Sequence, residues 1–185
     1  MMASPALAPF VWSPGWPAAW AVLAFLTAQR LLELVYAQKN TRALLARGAV
    51  EHGRDHYPLM VAIHAGFLAA LWFSTASDAA MLWPLLIVFA LLQAARLWVL
   101  ATLGPYWTTR IISSPDFPRI SGGPYRLVRH PNYWVVTLEI LTIPLIFGHY
   151  RIAVLWTILN AGILFVRIRT ENVALRARSS QKSVA

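Results

Sequence analysis

The sequence predicts an all-α integral membrane protein with about five transmembrane helices. Its composition is 58% hydrophobic and only 12% charged, whereas a soluble domain carries about 25% charged residues. Five apolar runs approach the roughly 20 residues that a helix needs to cross a bilayer. The basic residues between these runs are concentrated in alternate loops, as membrane topology requires. The 185 residues are expected to form one domain.

The predicted spans follow one another along most of the chain, at about 17–36, 58–75, 80–99, 132–150 and 152–168. The fourth span contains Glu139 and Pro144, and a proline inside a helix predicts a kink. The fourth and fifth spans are separated only around Tyr150 and Arg151, which predicts a tight helical hairpin. We expect a single membrane domain over 1–178 and a flexible tail over 179–185.

The Lys and Arg residues predict the orientation of the bundle. The 37–57 loop, the 100–131 segment and the tail from 169 carry four each, whereas the turn between the fourth and fifth spans has only Arg151. By the positive-inside rule, the N-terminus is expected outside and the C-terminus in the cytoplasm. The net charge of +9 is then explained by topology and anionic lipid head groups, and no nucleic-acid partner is predicted.

Several classes of site are excluded by the residues that the chain lacks. There are no cysteines, which rules out a disulfide framework, a Cys-ligated metal and a Cys nucleophile. We find no dinucleotide or phosphate-loop glycine motif, no zinc-binding His-Glu-x-x-His and no serine elbow. His52 and His56, four residues apart beside Asp55, are too weak a pattern to predict a metal site. Residues 1–15 are uncharged, which does not resemble a secretory signal.

The turn Gly123–Tyr133 is the most informative stretch, because it places arginines, a histidine, prolines and tyrosines between apolar runs. Pro124 and Pro131 restrict the backbone on both sides, so Arg129 and His130 are expected to be held in place. The preceding segment 104–122 is too long and polar for a simple connector. Its 107–112 stretch favours an extended strand, and we predict a flap over the cytoplasmic end of the bundle.

Ionisable residues inside spans are costly and often functional. With the predicted orientation, six of them lie toward the cytoplasmic side and could line one pocket there: Arg30, Glu33, His64, Arg96, Glu139 and Arg167. Other interpretations stay open. Arg30 and Arg96 could extend to the interface, Arg30 could simply pair with Glu33, and His64 could be a packed core residue.

Two further pairings are left open by spacing alone. Glu139 cannot reach the interface, so it needs a partner, and Arg129 and Arg96 are the candidates. Arg167 and Glu171 lie four apart on one helix face. They could form an ordinary surface ion pair, but they begin at the membrane face that carries the Gly123–Tyr133 turn, which favours a functional role.

The pattern Gly123-x-Tyr125-x-x-x-Arg129-His130-Pro131-x-Tyr133 resembles the signature of the isoprenylcysteine carboxyl methyltransferase family and its phospholipid methyltransferase relatives. In that family a helical hairpin follows, and then a helix with Arg and Glu four apart, as at Arg167 and Glu171. Leu103-Gly104 and Trp107 also resemble the entry to this region. The resemblance covers about residues 100–176, the expected cofactor-binding part.

The resemblance implies a methyltransferase that uses S-adenosylmethionine without a Rossmann fold. Glu171 would hold the amino group of the cofactor, Arg167 would face the acceptor oxygen, and the 117–120 stretch would cover the cofactor. The implied cofactor-binding residues are Arg119, Ile120, Tyr125, Arg129, His130, Pro131, Asn132, Tyr133 and Glu171. Asn172 stands where many relatives have a second acidic residue, and Trp134 where a small residue is common.

The expected reaction is methylation of an acidic oxygen, a carboxylate or an enol, on a lipophilic acceptor. The 104–112 run resembles bacterial members that act on alkylpyrone-type acceptors more than prenyl-protein enzymes, and a bacterial plasma membrane is expected. The acceptor would enter from the bilayer. Three alternatives stay open: phospholipid N-methylation, which would favour Glu139 near the nucleophile; a nicotinamide-dependent sterol-type reductase; and a non-catalytic membrane adaptor.

Overall fold

The computed structural model describes residues 10–14 and 17–182, with side chains placed up to Arg176. Five helices follow in order: α1 Ala18–Ala46, α2 Tyr57–Ser74, α3 Trp83–Leu103, α4 Pro131–Ile146 and α5 Tyr150–Lys182. In the described part, α1, α2, α3 and α5 are long and apolar enough to cross a membrane, and α4 is a shorter apolar helix. Its 16 residues span about 24 Å. The predicted all-α membrane fold is confirmed.

Two small antiparallel pairings connect the ends of the helices. At one end β1 (Val11–Trp12) pairs with β3 (Met81–Leu82), and at the other β2 (Val50–His52) pairs with β4 (Ile111–Ser113). The predicted extended stretch 107–112 therefore ends in a real strand. We call the end of the bundle that carries the β2–β4 pair the site end.

Two helices extend beyond the apolar runs that predicted them. α1 continues to Ala46, so the first half of the predicted loop 37–57 is helical. Residues 37–46 contain neither Gly nor Pro, and such residues sustain a helix once it leaves the hydrocarbon. The chain then turns at Gly48, whose φ is +80°. α5 likewise continues to Lys182, into the predicted flexible tail 179–185. Residues 183–185 of that tail lie outside the described part.

The turn between α4 and α5 lies earlier than predicted. α4 ends at Ile146, two residues after Pro144, and α5 begins at Tyr150. Tyr150 and Arg151, the predicted turn, are instead the first residues of α5. Gly148 has a φ of +73°, a conformation that glycine adopts without strain, and it makes the reversal.

Three apolar clusters hold the bundle. The largest joins α1, α2, α3 and α4 away from the site end and includes Leu23, Leu71 and Ile143. Two smaller clusters at the site end pack Trp107 against α1 and α3, and Phe117 against the end of α1. The segment between α3 and α4 is thereby anchored to the bundle.

A side chain of α1 completes this anchor. The amide of Asn40 donates to the backbone carbonyls of Gly104 (3.2 Å) and Trp107 (2.8 Å). These carbonyls follow the end of α3, where the backbone lacks helical partners. The path of the chain from α3 toward Thr109 is therefore set by α1.

Four charged residues meet inside the bundle, and we call them the charge cluster: Arg30 and Glu33 of α1, Arg96 of α3 and Glu139 of α4. Arg96 donates to both carboxylates, with 3.0 Å to Glu139. Arg30 lies 3.0 Å from Glu33 and 2.7 Å from Glu139. Gln93 donates to Glu139 at 2.8 Å. Two arginines and two glutamates balance each other, which is what burial in a membrane requires.

The charge cluster decides several open pairings. The Arg30–Glu33 pair is confirmed. The interpretation that the Arg96 side chain extends to the membrane interface is wrong, because this side chain is buried among carboxylates. The partners of Glu139 are Arg96 and Arg30, whereas Arg129 has an exposed side chain. Long side chains from three helices meet here because each charge needs an opposite charge in the hydrocarbon.

Candidate functional site

The backbone of the Gly123–Tyr133 turn is restricted by its local structure and by its contact with α3. Gly123–Arg126 form a turn of 3-10 helix, and α4 begins directly at Pro131, a position where proline is favoured. Gly123 has a φ of +54° and lies against α3. A Cβ there would stand 2.4 Å from the Thr102 hydroxyl oxygen and 3.2 Å from the Trp98 ring nitrogen. The turn is therefore seated on α3.

We expect Gly123→Ala to destabilise the protein more than Gly148→Ala. Both glycines have positive φ, so alanine costs about 1–2 kcal/mol at either site. At Gly123 the methyl group would meet neighbouring atoms, whereas no atom of the described residues lies within 4 Å of a Cβ at Gly148. Overpacking at Gly123 adds about 1–3 kcal/mol. Thermal unfolding of the two variants in detergent measures the difference. Equal losses would show that the turn is not seated on α3.

A hydrogen-bonded group surrounds Glu171 on α5. The Tyr133 hydroxyl donates to Glu171 Oε2 at 2.7 Å, and His130 Nδ1 lies 3.6 Å from the same oxygen. The rings of His130 and Tyr133 stack with centroids 5.4 Å apart. Burial and the nearby charge of Glu171 raise the pKa of the Tyr125 phenol above its usual value. Three residues of the predicted site, Tyr125, His130 and Tyr133, thus lie around the carboxylate of the fourth, Glu171.

Arg167 lies one helical turn before Glu171 and is only 5% exposed. Its Nη2 donates to the backbone carbonyl of Thr109 at 2.9 Å, and its guanidinium carbon is 6.0 Å from the Tyr133 ring centroid. Within the described residues, Arg167 has no carboxylate at ion-pair distance. The alternative of a surface Arg167–Glu171 pair is wrong, because Glu171 turns to Tyr133 and His130.

Thr109, which holds Arg167, is itself held by the start of α2. Its hydroxyl lies 3.1 Å from the Tyr57 hydroxyl. The Arg110 guanidinium covers the Tyr57 ring at 4.2 Å and pairs with Glu51 of β2. The β2–β4 pair therefore positions the carbonyl that orients Arg167.

The structure gathers some of the predicted site residues and leaves others apart. Tyr125, His130, Tyr133, Arg167 and Glu171 come together as described. Pro131 is buried at the start of α4. Asn132 beside it has a buried side-chain oxygen that finds no hydrogen-bond partner among the residues described. Three predicted residues lie outside the hydrogen-bonded group: the exposed Arg119 and Arg129 and the half-buried Ile120.

Sequence reasoning missed Thr109 and Tyr57, which support Arg167. Neither residue belongs to a recognisable motif, because Thr109 acts through its backbone carbonyl. A signal was nevertheless present in the 51–57 segment, which is polar throughout and precedes a span. Among the described residues, no group of three or more His, Asp or Glu side chains could hold a metal ion.

Comparison with known proteins identifies similar sequences. The model of the isoprenylcysteine carboxyl methyltransferase (ICMT) family matches residues 85–177. The chain is 37% identical over 164 residues to "Uncharacterized protein YpbQ" of Bacillus subtilis, covering 86% of this chain and 98% of that protein. It is 26% identical over 162 residues to an "Uncharacterized protein" of Haemophilus influenzae, covering 82% and 91%. No solved structure matches the chain.

Proposed function

The chain belongs to the isoprenylcysteine carboxyl methyltransferase family, and from this premise we propose that it transfers a methyl group from S-adenosylmethionine to an acidic oxygen of a lipophilic acceptor. Membership implies a membrane methyltransferase. The cofactor, the oxygen nucleophile and the lipophilic acceptor are the proposal. Its support comes from the residues around Glu171 and Arg167.

The group around Glu171 fits the polar end of S-adenosylmethionine. Glu171 offers a carboxylate with a side chain 30% exposed, which suits the ammonium group of the cofactor. The unpartnered oxygen of Asn132 offers a second acceptor, and the stacked His130 and Tyr133 offer a ring surface. When bound, the cofactor supplies an electrophilic methyl group on a sulfonium sulfur.

The observation that carries the choice of acceptor is the state of Arg167. A buried guanidinium without a carboxylate partner is costly, so the site favours an anionic ligand. Arg167 would orient an acidic oxygen and stabilise its ionised form. Because little general catalysis is needed once the oxygen is ionised, alignment of the two reactants is the main contribution of the protein.

The position of Arg167 also supports a lipophilic acceptor. It lies near the site end of α5, a helix long and apolar enough to cross a membrane. An acceptor with an alkyl or prenyl tail could leave the tail in the bilayer while its acid group reaches Arg167. Prenyl-cysteine-like and alkylpyrone-like acids satisfy this requirement. We propose that the site end faces the cytoplasm, because the Lys- and Arg-rich segments are located there.

The alternative of phospholipid N-methylation loses its support. That alternative favours a carboxylate such as Glu139 near the amine nucleophile. Glu139 is 1% exposed and accepts from Arg30, Arg96 and Gln93. A carboxylate that is committed to two arginines has little capacity to activate an amine.

Calorimetry with S-adenosylhomocysteine, on purified protein in detergent, tests the proposal. We expect saturable binding to the wild type and its loss in His130→Ala. Saturable binding of a reduced nicotinamide cofactor instead, with none of S-adenosylhomocysteine to folded protein, would overturn the proposal.

We expect Glu171→Gln to weaken binding of S-adenosylhomocysteine by about 10- to 100-fold, since a hydrogen bond to a charged group contributes about 1.5–3 kcal/mol. The substitution preserves shape and removes the charge. Asp116→Asn, an exposed carboxylate of the segment before α4, is the control and is expected to leave the affinity unchanged. Equal affinities for Glu171→Gln and wild type would exclude Glu171 from the cofactor site.

A further inference from the structure

We propose that His56 belongs to the acceptor site and takes the proton of the acceptor's acid group beside Arg167. This inference rests on the proposed methyl transfer and deepens it. It implies that the acceptor is a weak acid that arrives protonated and is ionised inside the site.

The first observation is an unused ring nitrogen. His56 is the last residue of the 3-10 turn Arg54–His56, which precedes the membrane-spanning α2. Its Nε2 is buried and has no hydrogen-bond partner in the part of the chain that the structure describes. A buried polar atom without a partner costs about 1–3 kcal/mol. A ligand that hydrogen-bonds to this nitrogen would remove that cost.

The second observation is that the His56 ring packs against the backbone of Gly53. Gly53 has a φ of +64°, and a Cβ there would lie 2.1 Å from His56 Cε1 and 2.9 Å from Nδ1. An alanine at this position would force the imidazole to shift. The neighbouring His52 differs, because its Nε2 already contacts the Ser113 hydroxyl at 2.8 Å. The two histidines of this loop therefore differ in whether Nε2 has a partner among the described residues.

The third observation is the proximity of the turn to Arg167. The β2–β4 pair packs against α5, and Tyr57, the next residue, contacts the same Thr109 that accepts from Arg167. A neutral imidazole presents one ring nitrogen that can accept a proton.

The charged groups of β2 and β4 near the turn are already paired. Glu51 of β2 pairs with Arg110 of β4 and with Arg54 of the turn itself. Arg167 of α5 donates to Thr109. His56, whose Nε2 has no hydrogen-bond partner among the described residues, therefore remains available to the acid proton of an acceptor.

The proposed step balances as follows. The O–H bond of the acceptor breaks and its proton forms a bond to His56 Nε2, while Arg167 stabilises the oxyanion. The oxygen forms a bond to the methyl carbon of the sulfonium donor as the carbon–sulfur bond breaks, and its electron pair stays on sulfur. His56 then releases the proton to solvent.

The test uses a lipid extract of the source organism with the gene deleted, the purified full-length protein and S-adenosylmethionine labelled on the methyl group. We expect His56→Gln to transfer label about 100-fold more slowly near neutral pH. The deficit should shrink as the pH rises, because the acceptor then ionises without help. Binding of S-adenosylhomocysteine, measured by calorimetry, should be unchanged.

Two matched pairs separate this role from a structural one. Gly53→Ala displaces the ring and should show the same pH-dependent deficit, whereas Gly48→Ala, which also has positive φ but open space around it, should not. His52→Gln is the control for His56→Gln.

Three results would overturn the inference. The first is a rate and pH profile of His56→Gln equal to those of His52→Gln. The second is a loss of S-adenosylhomocysteine binding together with activity. The third is the absence of labelled lipid with wild-type protein, which would overturn the proposed function as well.

Discussion

Replacing Arg167 with leucine is expected to lower kcat/KM for methyl transfer by about 10²- to 10³-fold, the usual effect of removing one donor to a developing or bound oxyanion. The buried guanidinium has one backbone acceptor, Thr109, and no carboxylate partner within the described residues. Its charge is therefore available to the acceptor. The kcat/KM of Arg167→Lys should lie between those of the wild type and Arg167→Leu, because lysine keeps the positive charge but lacks the planar guanidinium.

The control for this prediction is Arg169→Leu on the same helix. Arg169 is exposed and covers the Phe165 ring at 4.0 Å, so its loss should leave transfer unchanged. S-adenosylhomocysteine should bind Arg167→Leu as it binds the wild type, because Glu171 and its partners stay in place. Full activity of folded Arg167→Leu would remove Arg167 from the acceptor site. Equal loss of cofactor binding and transfer would assign it a structural role.

The second large effect is expected in the charge cluster. Arg96→Leu leaves Glu33 and Glu139 with Arg30 as their only arginine, and Arg96 is the residue that donates to both. Removing one partner from a buried ionic group costs about 3–5 kcal/mol. Denaturant titration in mixed micelles, followed by circular dichroism, should show the loss. The variant is expected to bind S-adenosylhomocysteine where it stays folded.

A double variant makes this prediction specific. Glu33→Leu together with Arg96→Leu leaves Arg30 and Glu139, which already contact each other at 2.7 Å. The double variant should therefore be more stable than Arg96→Leu alone, since it contains no excess buried charge. If the stability loss of the double variant equals the sum of the losses of the two single variants, charge balance does not stabilise the cluster.

The membrane fold and the Gly123–Tyr133 turn were predictable because their signals are local. Apolar runs, basic loops and the prolines around His130 are visible in short windows of sequence. Boundaries were less predictable. Hydropathy detects only the part of a helix that lies in hydrocarbon, so it missed the extension of α1 to Ala46 and of α5 to Lys182. The α4–α5 turn depended on Gly148 and Pro144 rather than on the polar Tyr150 and Arg151.

The residues that carry the proposed chemistry were partly predictable. The spacing of four residues placed Arg167 and Glu171 on one helix face, and both residues lie near the Gly123–Tyr133 turn. Their partners could not be read from spacing, because Arg167 reaches Thr109 across 58 positions and Glu171 reaches Tyr133 across 38. A backbone carbonyl such as that of Thr109 leaves no signature in a sequence.

Local sequence was therefore sufficient for the protein class, the approximate spans and the turn that carries the resemblance. Pairing required the folded chain. Arg30 and Glu139 are 109 positions apart, and Glu139 accepts from Arg96 and Arg30 rather than from Arg129. The reason is physical: inside a membrane a charge must find its opposite among whichever side chains the packed helices bring within reach, and only the tertiary structure decides which those are.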